Sequence, residues 1–301
     1  MSFIGGLRRL YQIVVPPERR RRLRERRKRA VFGLHLARSR LIGSPSLPGS
    51  SSPRLIVSLT SFPARIDQAW IAIESIFAQT LLPDRIVLVL ARSEFGEAPL
   101  PEKIDRYRQR GVEILWIDES LRSYNKLLPT REKYPDADIV TIDDDILYPR
   151  RMLAELVAGR DQHPETIIAR RARVVRCSPD GSVMPFRSWP LAAKGAPTER
   201  LMPLGLGGVL YPAKVLDDAL LLDSATARRL CPTGDDIWFW AVARKCGVRH
   251  VSLGRSFMVL QEFSDTPKLW SVNQLPDGND MQIAKVIAAL GIQPVCPKAA
   301  A

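Results

Sequence analysis

Between residues 54 and 142 the sequence alternates short apolar runs with segments of helical periodicity, and no other feature narrows the fold as much. Residues 55–59 are a β-branched-rich run, and residues 68–79 carry apolar side chains at helical spacing. Residues 85–90 (RIVLVL) are continuously apolar, as strands buried on both faces are. Helix is then expected over 103–110, strand over 112–117, helix over 126–134 and strand over 139–142. A βαβα series of this kind predicts an α/β domain built on a mostly parallel sheet flanked by helices. Ligands of such sheets sit outside the carboxyl ends of the strands, so functional residues are expected directly after them.

The net charge of +13 suggests a nucleic-acid partner until it is located along the chain. Residues 1–40 hold thirteen Arg and Lys against Glu18 and Glu25, so the remainder is close to neutral. Three segments are expected: a basic N-terminal helical arm over 1–42, a flexible Gly/Ser/Pro-rich linker over 43–53, and a folded domain over 54–301. The arm suits an interfacial helix on an anionic membrane surface, a solvated basic tail, or a nucleic-acid arm. The last is disfavoured because no aromatic platform for bases is interleaved with the charge.

Cys177, Cys231, Cys246 and Cys296 form no CxxC pair and are expected to be reduced thiols. His35, His163 and His250 are not at ligand spacing, so a histidine-rich metal site is not expected. No run approaches the roughly 18–20 apolar residues of a membrane span. Arg8 and Arg9 interrupt the apolar character of residues 1–15, and no small-residue cleavage site follows. A cytoplasmic location is expected, peripheral on the inner face of the membrane if the arm lies there.

The strand at 139–142 runs into three consecutive aspartates, DIVTIDDDILYP over 138–149. Adjacent carboxylates repel one another, and their charge at the end of a buried strand requires a cation or a hydrogen-bond network. Hard ions such as Mg²⁺ and Mn²⁺ take oxygen ligands and are usually held by one or two carboxylates plus substrate phosphates. On an extended chain Asp143 and Asp145 point the same way and Asp144 the other, which makes Asp145 and Asp143 the expected metal ligands. The plain structural alternative is a turn that caps a helix beginning near Pro149.

This segment resembles the DxD motif of GT-A glycosyltransferases, of the bacterial, family-2-like kind. In order along the chain, VSLTSFPARI (57–66) is similar to their first strand and nucleotide-contacting loop. SIFAQTLLPDRIVLVL (75–90) is similar to their helix and second strand, and SYNKLLPTREKYPDADIVTIDDD (123–145) to their lysine-bearing segment before the DxD strand. The resemblance covers residues 54 to about 251. It implies a Rossmann-like GT-A fold with Thr60, Ser61, Arg65, Lys126, Asp143 and Asp144 as donor-binding residues, and Asp145 with Asp143 on a divalent ion, Mn²⁺ or Mg²⁺.

Downstream, LGLGGVLY (204–211) offers glycines that let backbone approach a sugar closely, with Gly207 and Gly208 the candidate donor contacts. The alternative is a tight turn between strands. In CPTGDDIWFWAVARKCG (231–247), Asp235 and Asp236 open a helical pattern. The resemblance suggests one of them, Asp236 or Asp235, as the base that deprotonates an acceptor hydroxyl, a role for which a carboxylate is the right type. Helix capping is the competing explanation. Of Trp238 and Trp240, at most one can face the site and the other belongs to the core. Arg170, Arg171 and Arg173 suit an anion contact or a solvated cluster, Asn279 and Asp280 are placed to cap the last helix, and His250 is the sole histidine positioned as a further metal ligand.

The implied activity is metal-dependent transfer of a hexose from a nucleotide-sugar donor to a hydroxyl acceptor, a cell-surface or lipid-linked glycan, with inversion if attack is direct. A nucleotidyltransferase is a rival, although residues 59–66 lack its glycine-rich phosphate loop. A non-catalytic adaptor acting through the basic arm is another.

Overall fold

The computed structural model describes residues 50–254 and 278–293, together with Ala30, Gly33 and Leu47. The chain divides into two compact units, Met1–Ser44 and Pro45–Ala301. In the first, Ala30 and Gly33 are helical and exposed, and the rest of the expected arm lies outside the described residues. In the second, the linker region is partly engaged: Leu47 lies 3.4 Å from where a Cβ on Gly111 would stand, and Arg85 donates to the Ser50 carbonyl at 2.8 Å.

The larger unit is built on a seven-stranded sheet. Its strands are β1 (Leu55–Thr60), β2 (Arg85–Ala91), β3 (Val112–Ile117), β4 (Asp138–Thr141), β5 (Ile167–Ala169), β8 (Val209–Tyr211) and β9 (His250–Ser252), in the order β3-β2-β1-β4-β8-β5-β9. Strands β6 (Ala172–Val174) and β7 (Leu201–Pro203) form a separate antiparallel pair. All neighbours in the large sheet are parallel except β8, which runs against both β4 and β5. This is the mostly parallel, helix-flanked α/β sheet expected. The unbroken apolar run of β2 is buried over Ile86–Ala91 because the sheet is covered on both faces.

On one face pack α1 (Ile66–Phe77), α3 (Glu102–Gln109) and α5 (Met152–Gln162), whose apolar residues join Val57, Leu59, Ile86, Leu88 and Leu210 in one core. A short α2 (Arg92–Phe95) follows β2. The other face carries α4 (Leu128–Lys133), α6 (Asp218–Leu221), α7 (Ser224–Leu230), α8 (Asp235–Lys245) and α9 (Gly278–Leu290). Helix α8 is buried on every side from Ile237 to Ala243, which explains its lack of a polar face. Both Trp238 and Trp240 are therefore core residues, where the sequence leaves room for one of them to face the site.

The helix expected over 126–134 is instead a 3₁₀ turn, Arg122–Lys126, followed by α4. Pro129 lacks an amide hydrogen and so is tolerated only in a helix's first turn, which sets where α4 begins. Cys231 and Cys246 are free thiols, whereas Cys177 is disulfide-bonded. This corrects the expectation of four reduced cysteines, since spacing along the sequence does not reveal which thiols a fold oxidises. Among the described residues no helix is long and apolar enough to cross a membrane.

Candidate functional site

The position of the site follows from the register. Thr141, the last residue of β4, pairs with Ser58 of β1 on one side and with Val209, the first residue of β8, on the other. The loop after β1, the aspartates after β4 and the 205–208 turn before β8 therefore emerge together at one end of the sheet. They lie where the chain order reverses between β1 and β4, the place where open α/β sheets bind ligands.

The strand pattern ends at Thr141, and the aspartates occupy a turn. Alternation along an extended chain does not apply there, and the side chains of the three aspartates are directed by their own contacts instead. The buried Asp144 accepts from the Ser61 hydroxyl at 2.6 Å and from Arg65 Nη1 at 2.8 Å. Arg65 Nη2 also lies 3.4 Å from Asp145. Asp143 turns the other way, to Lys126 Nζ at 3.0 Å. Tyr148, fully buried, accepts the Asp143 amide hydrogen at 2.8 Å and donates to the Leu206 carbonyl at 3.5 Å, fixing the aspartates to the 205–208 turn.

Lys126 is the centre of the arrangement. Its ammonium is buried and lies 2.9 Å from Asp235 Oδ2 as well as against Asp143. Asp236 Oδ2 accepts the Gly205 amide hydrogen at 2.8 Å. Neither acidic group behaves as a helix cap: α8 has Gly234 at its N-cap without a side-chain bond, and α5 has Arg151 there, also without one. Tyr124 donates to the Cys231 carbonyl at 2.5 Å, tying the lysine's 3₁₀ turn to the segment before Asp235. From the far side Gln282 of α9 accepts the Thr233 amide hydrogen at 3.2 Å and donates to the Thr233 hydroxyl at 3.0 Å, bracing the same loop.

These surroundings separate the carboxyl groups electrostatically. Burial pushes Asp144 up to about 6 despite the opposing pull of Arg65 and Ser61. Burial and the adjacent Asp235 push Asp236 up to about 7, against the lowering effect of Lys126. For Lys126, burial lowers the value, but Asp143, Asp235 and Asp236 outweigh it and hold the ammonium charged. Burial likewise opposes the charge of Arg65, and Asp144 and Asp145 override it. The site thus combines fixed cations with a carboxyl group poised near neutrality, the condition under which a side chain exchanges protons readily.

Other anticipated residues are placed differently. Thr60 donates its hydroxyl to the Val89 carbonyl at 2.8 Å, engaging the neighbouring strand. A Cβ on Gly207 would stand 3.2 Å from Arg171 Cβ, and one on Gly208, at φ +89°, 3.1 Å from Met152 Sδ. Those two glycines serve close packing. Gly205 is the glycine of the site, since its Cβ would stand 2.7 Å from Asp236 Oδ1. Arg170 is buried and pairs with Glu155 at 3.2 Å, and Arg173 donates to the Trp189 carbonyl. His250 begins β9, at the end of the sheet away from the aspartates, and is wholly buried. Burial lowers it to about 3, so it is a neutral core group. Asp280 accepts from the Phe186 amide at 2.6 Å, linking α9 to the body.

Among the described residues no group of three His, Cys, Asp or Glu converges as a metal cage. The donor set nevertheless suits a hard divalent ion. Asp143, Asp144, Asp145, Asp235 and Asp236 outnumber Lys126 and Arg65 there, and one or two carboxylate ligands suffice when substrate phosphates complete the shell.

No protein-family model matches the chain, and no curated protein matches it. Among solved structures it is similar to S. aureus TarS 1–349, with TM-score 0.47 and 13% identity over 78% of this chain and 70% of that one. It is also similar to the mannosyltransferase PcManGT from Pyrobaculum calidifontis in complex with GDP-Man and Mn²⁺, with TM-score 0.41 and 15% identity over 76% of this chain and 64% of that one. CMP:2-keto-3-deoxy-manno-octonic acid synthetase complexed with CTP overlaps 66% of this chain and 88% of its own at TM-score 0.41 and 10% identity. These overlaps are partial.

Proposed function

We propose that this chain is a GT-A glycosyltransferase that moves a sugar from a nucleotide-diphosphate donor to a hydroxyl acceptor. The observation that carries the reading is Lys126, buried between two acidic centres, Asp143 after β4 and Asp235 at the start of α8. One centre suits a phosphate-bound ion and the other a hydroxyl, with a fixed cation between them.

Ser61 and Arg65 hold Asp144 and so shape the donor end of the site. Lys126 supplies a positive point charge for the donor diphosphate. Asp145 and Asp143 are the residues to hold Mn²⁺ or Mg²⁺, which when bound neutralises charge developing on the leaving diphosphate. At the acceptor end, Gly205 fixes Asp236 Oδ2 and leaves Oδ1 to take the hydroxyl proton as the acceptor oxygen attacks. Direct attack inverts the anomeric centre. A neutral body with a basic arm suits a cell-surface or lipid-linked glycan acceptor met at an anionic membrane surface, from the cytoplasmic side.

The test is turnover of a nucleotide-sugar panel with and without Mn²⁺, comparing the wild type with Asp145→Asn. Metal-dependent donor use, lost in the variant, is the expected result. Failure of the folded protein to bind any donor would overturn the reading in favour of an adaptor.

A further inference from the structure

A second feature beside this site is left unused by donor chemistry. A cavity of about 420 Å³ opens between the segment entering the 3₁₀ turn and α7, with Arg122 on one wall and Arg228 and Arg229 on the other. Among the described residues no acidic side chain lines it. We propose that this cavity binds an anionic group, phosphate or carboxylate, carried by the acceptor substrate. The acceptor assignment rests on the transferase reading above.

Charge is the first argument. All three arginines are exposed, and none forms an ion pair among the described residues, whereas Arg65 of the site does. Asp223, the acidic residue at the start of α7, caps that helix through the Thr226 amide at 3.0 Å and acts on Arg229 only beyond ion-pair distance. Three guanidinium groups line one opening, and their planar donor forks match the oxygens of phosphate and carboxylate.

The backbone is the second. Arg122 has φ +58°, a left-handed conformation that residues with a side chain rarely adopt. It is held there by the Leu121 amide on Asn125 Oδ1 at 2.9 Å and by its own amide on Ser120 Oγ at 3.1 Å. Glycine would relieve this conformation, yet the position carries the long cation that faces the cavity.

Location is the third. The bond from Tyr124 to the Cys231 carbonyl joins the two walls directly, and the same walls continue into Lys126 and Asp235, which meet at 2.9 Å. The cavity therefore adjoins the Asp235–Asp236 end, where a hydroxyl acceptor enters, and an anion there would orient the acceptor's hydroxyl toward Asp236.

The experiment compares calorimetric binding of inorganic phosphate and of trigalacturonate to the wild type and to Arg122→Gly/Arg228→Ala/Arg229→Ala, at fixed ionic strength. Glycine at 122 keeps the left-handed backbone while removing the side chain, so the fold is preserved. A charge-matched control replaces the exposed Arg106, Arg108 and Arg151 with Ala. At least one probe is expected to bind the cavity variant tenfold or more weakly than both wild type and control, and the probe that does so distinguishes phosphate from carboxylate. Equal binding of each probe by the variant and the control, or no binding of either to the wild type, would overturn the proposal. Donor hydrolysis without acceptor is measured in parallel and is expected to be unchanged in the variant. Its absence from the wild type would count against the transferase reading, while the binding comparison still decides the anion site.

Discussion

Lys126 and Asp235 meet at 2.9 Å, joining the turn after β3 to the first residue of α8. Through that pair the parallel half of the sheet is coupled to the helix that carries the proposed base. Replacing Lys126 with Met leaves Asp143 and Asp235 facing each other without their cation. Breaking one side of a buried ion pair costs about 3–5 kcal/mol, so Lys126→Met is expected to unfold at lower urea concentration and to lose about 10²-fold or more in donor turnover. Wild-type stability with wild-type turnover would remove Lys126 from the site.

The carboxyl of Asp236 sets a pH dependence. It must be ionised to accept a proton, so kcat/KM is expected to rise with pH through about 7. Asp235 is one cause of that elevation, and Asp235→Asn should move the acidic limb to lower pH. Stability runs the opposite way. The folded group is protonated up to about 7 whereas an unfolded aspartate ionises near roughly 4. Its contribution is therefore fully present below the unfolded value and lost as pH rises through the folded one. Urea titrations of wild type and Asp236→Asn between these limits read that slope.

Gly205 is expected to tolerate no side chain. A Cβ there would stand 2.7 Å from Asp236 Oδ1 and 3.1 Å from Lys126 Nζ, so Gly205→Ala must displace one or both. Displacements of about 1 Å cost roughly 10²-fold in rate, while overpacking costs about 1–3 kcal/mol. Measured kcat should fall far more than the melting temperature.

The cysteines give a prediction independent of activity. With Cys177 bonded and Cys231 and Cys246 free, denatured protein without reductant should titrate fewer than four thiols, and four after reduction. Four thiols before reduction would contradict the disulfide.

Local periodicity made much of this fold legible. The run 85–90 and the apolar stretch ending in Asp143–Asp145 each appear as strands because their burial is written in consecutive residues. Asp235 and Asp236 stood out as paired acids opening a helix. In the sheet's other half the apolar run 166–169 reads as a strand and forms β5, whereas β8 and β9, three residues each, are too short for a pattern. Nothing in LGLGGVLY announces that its strand runs antiparallel between β4 and β5, and that insertion is what selects Gly205 rather than Gly207 or Gly208. Tyr148 and Tyr124 were missed because their roles lie in hydroxyl bonds to distant backbone. The one available signal was a tyrosine following the aspartates closely. Alternation failed for Asp143 and Asp145 because the chain leaves the strand before reaching them.

Asp236→Asn, measured for donor binding and for single-turnover transfer to an acceptor in the same preparation, separates donor recognition from proton abstraction. Asparagine keeps the shape and the bond from Gly205 but cannot take a proton. A donor Kd within about twofold of wild type and a transfer rate lower by about 10²–10⁴-fold are expected. Transfer at the wild-type rate, with the protein folded, would contradict a proton-accepting role for Asp236.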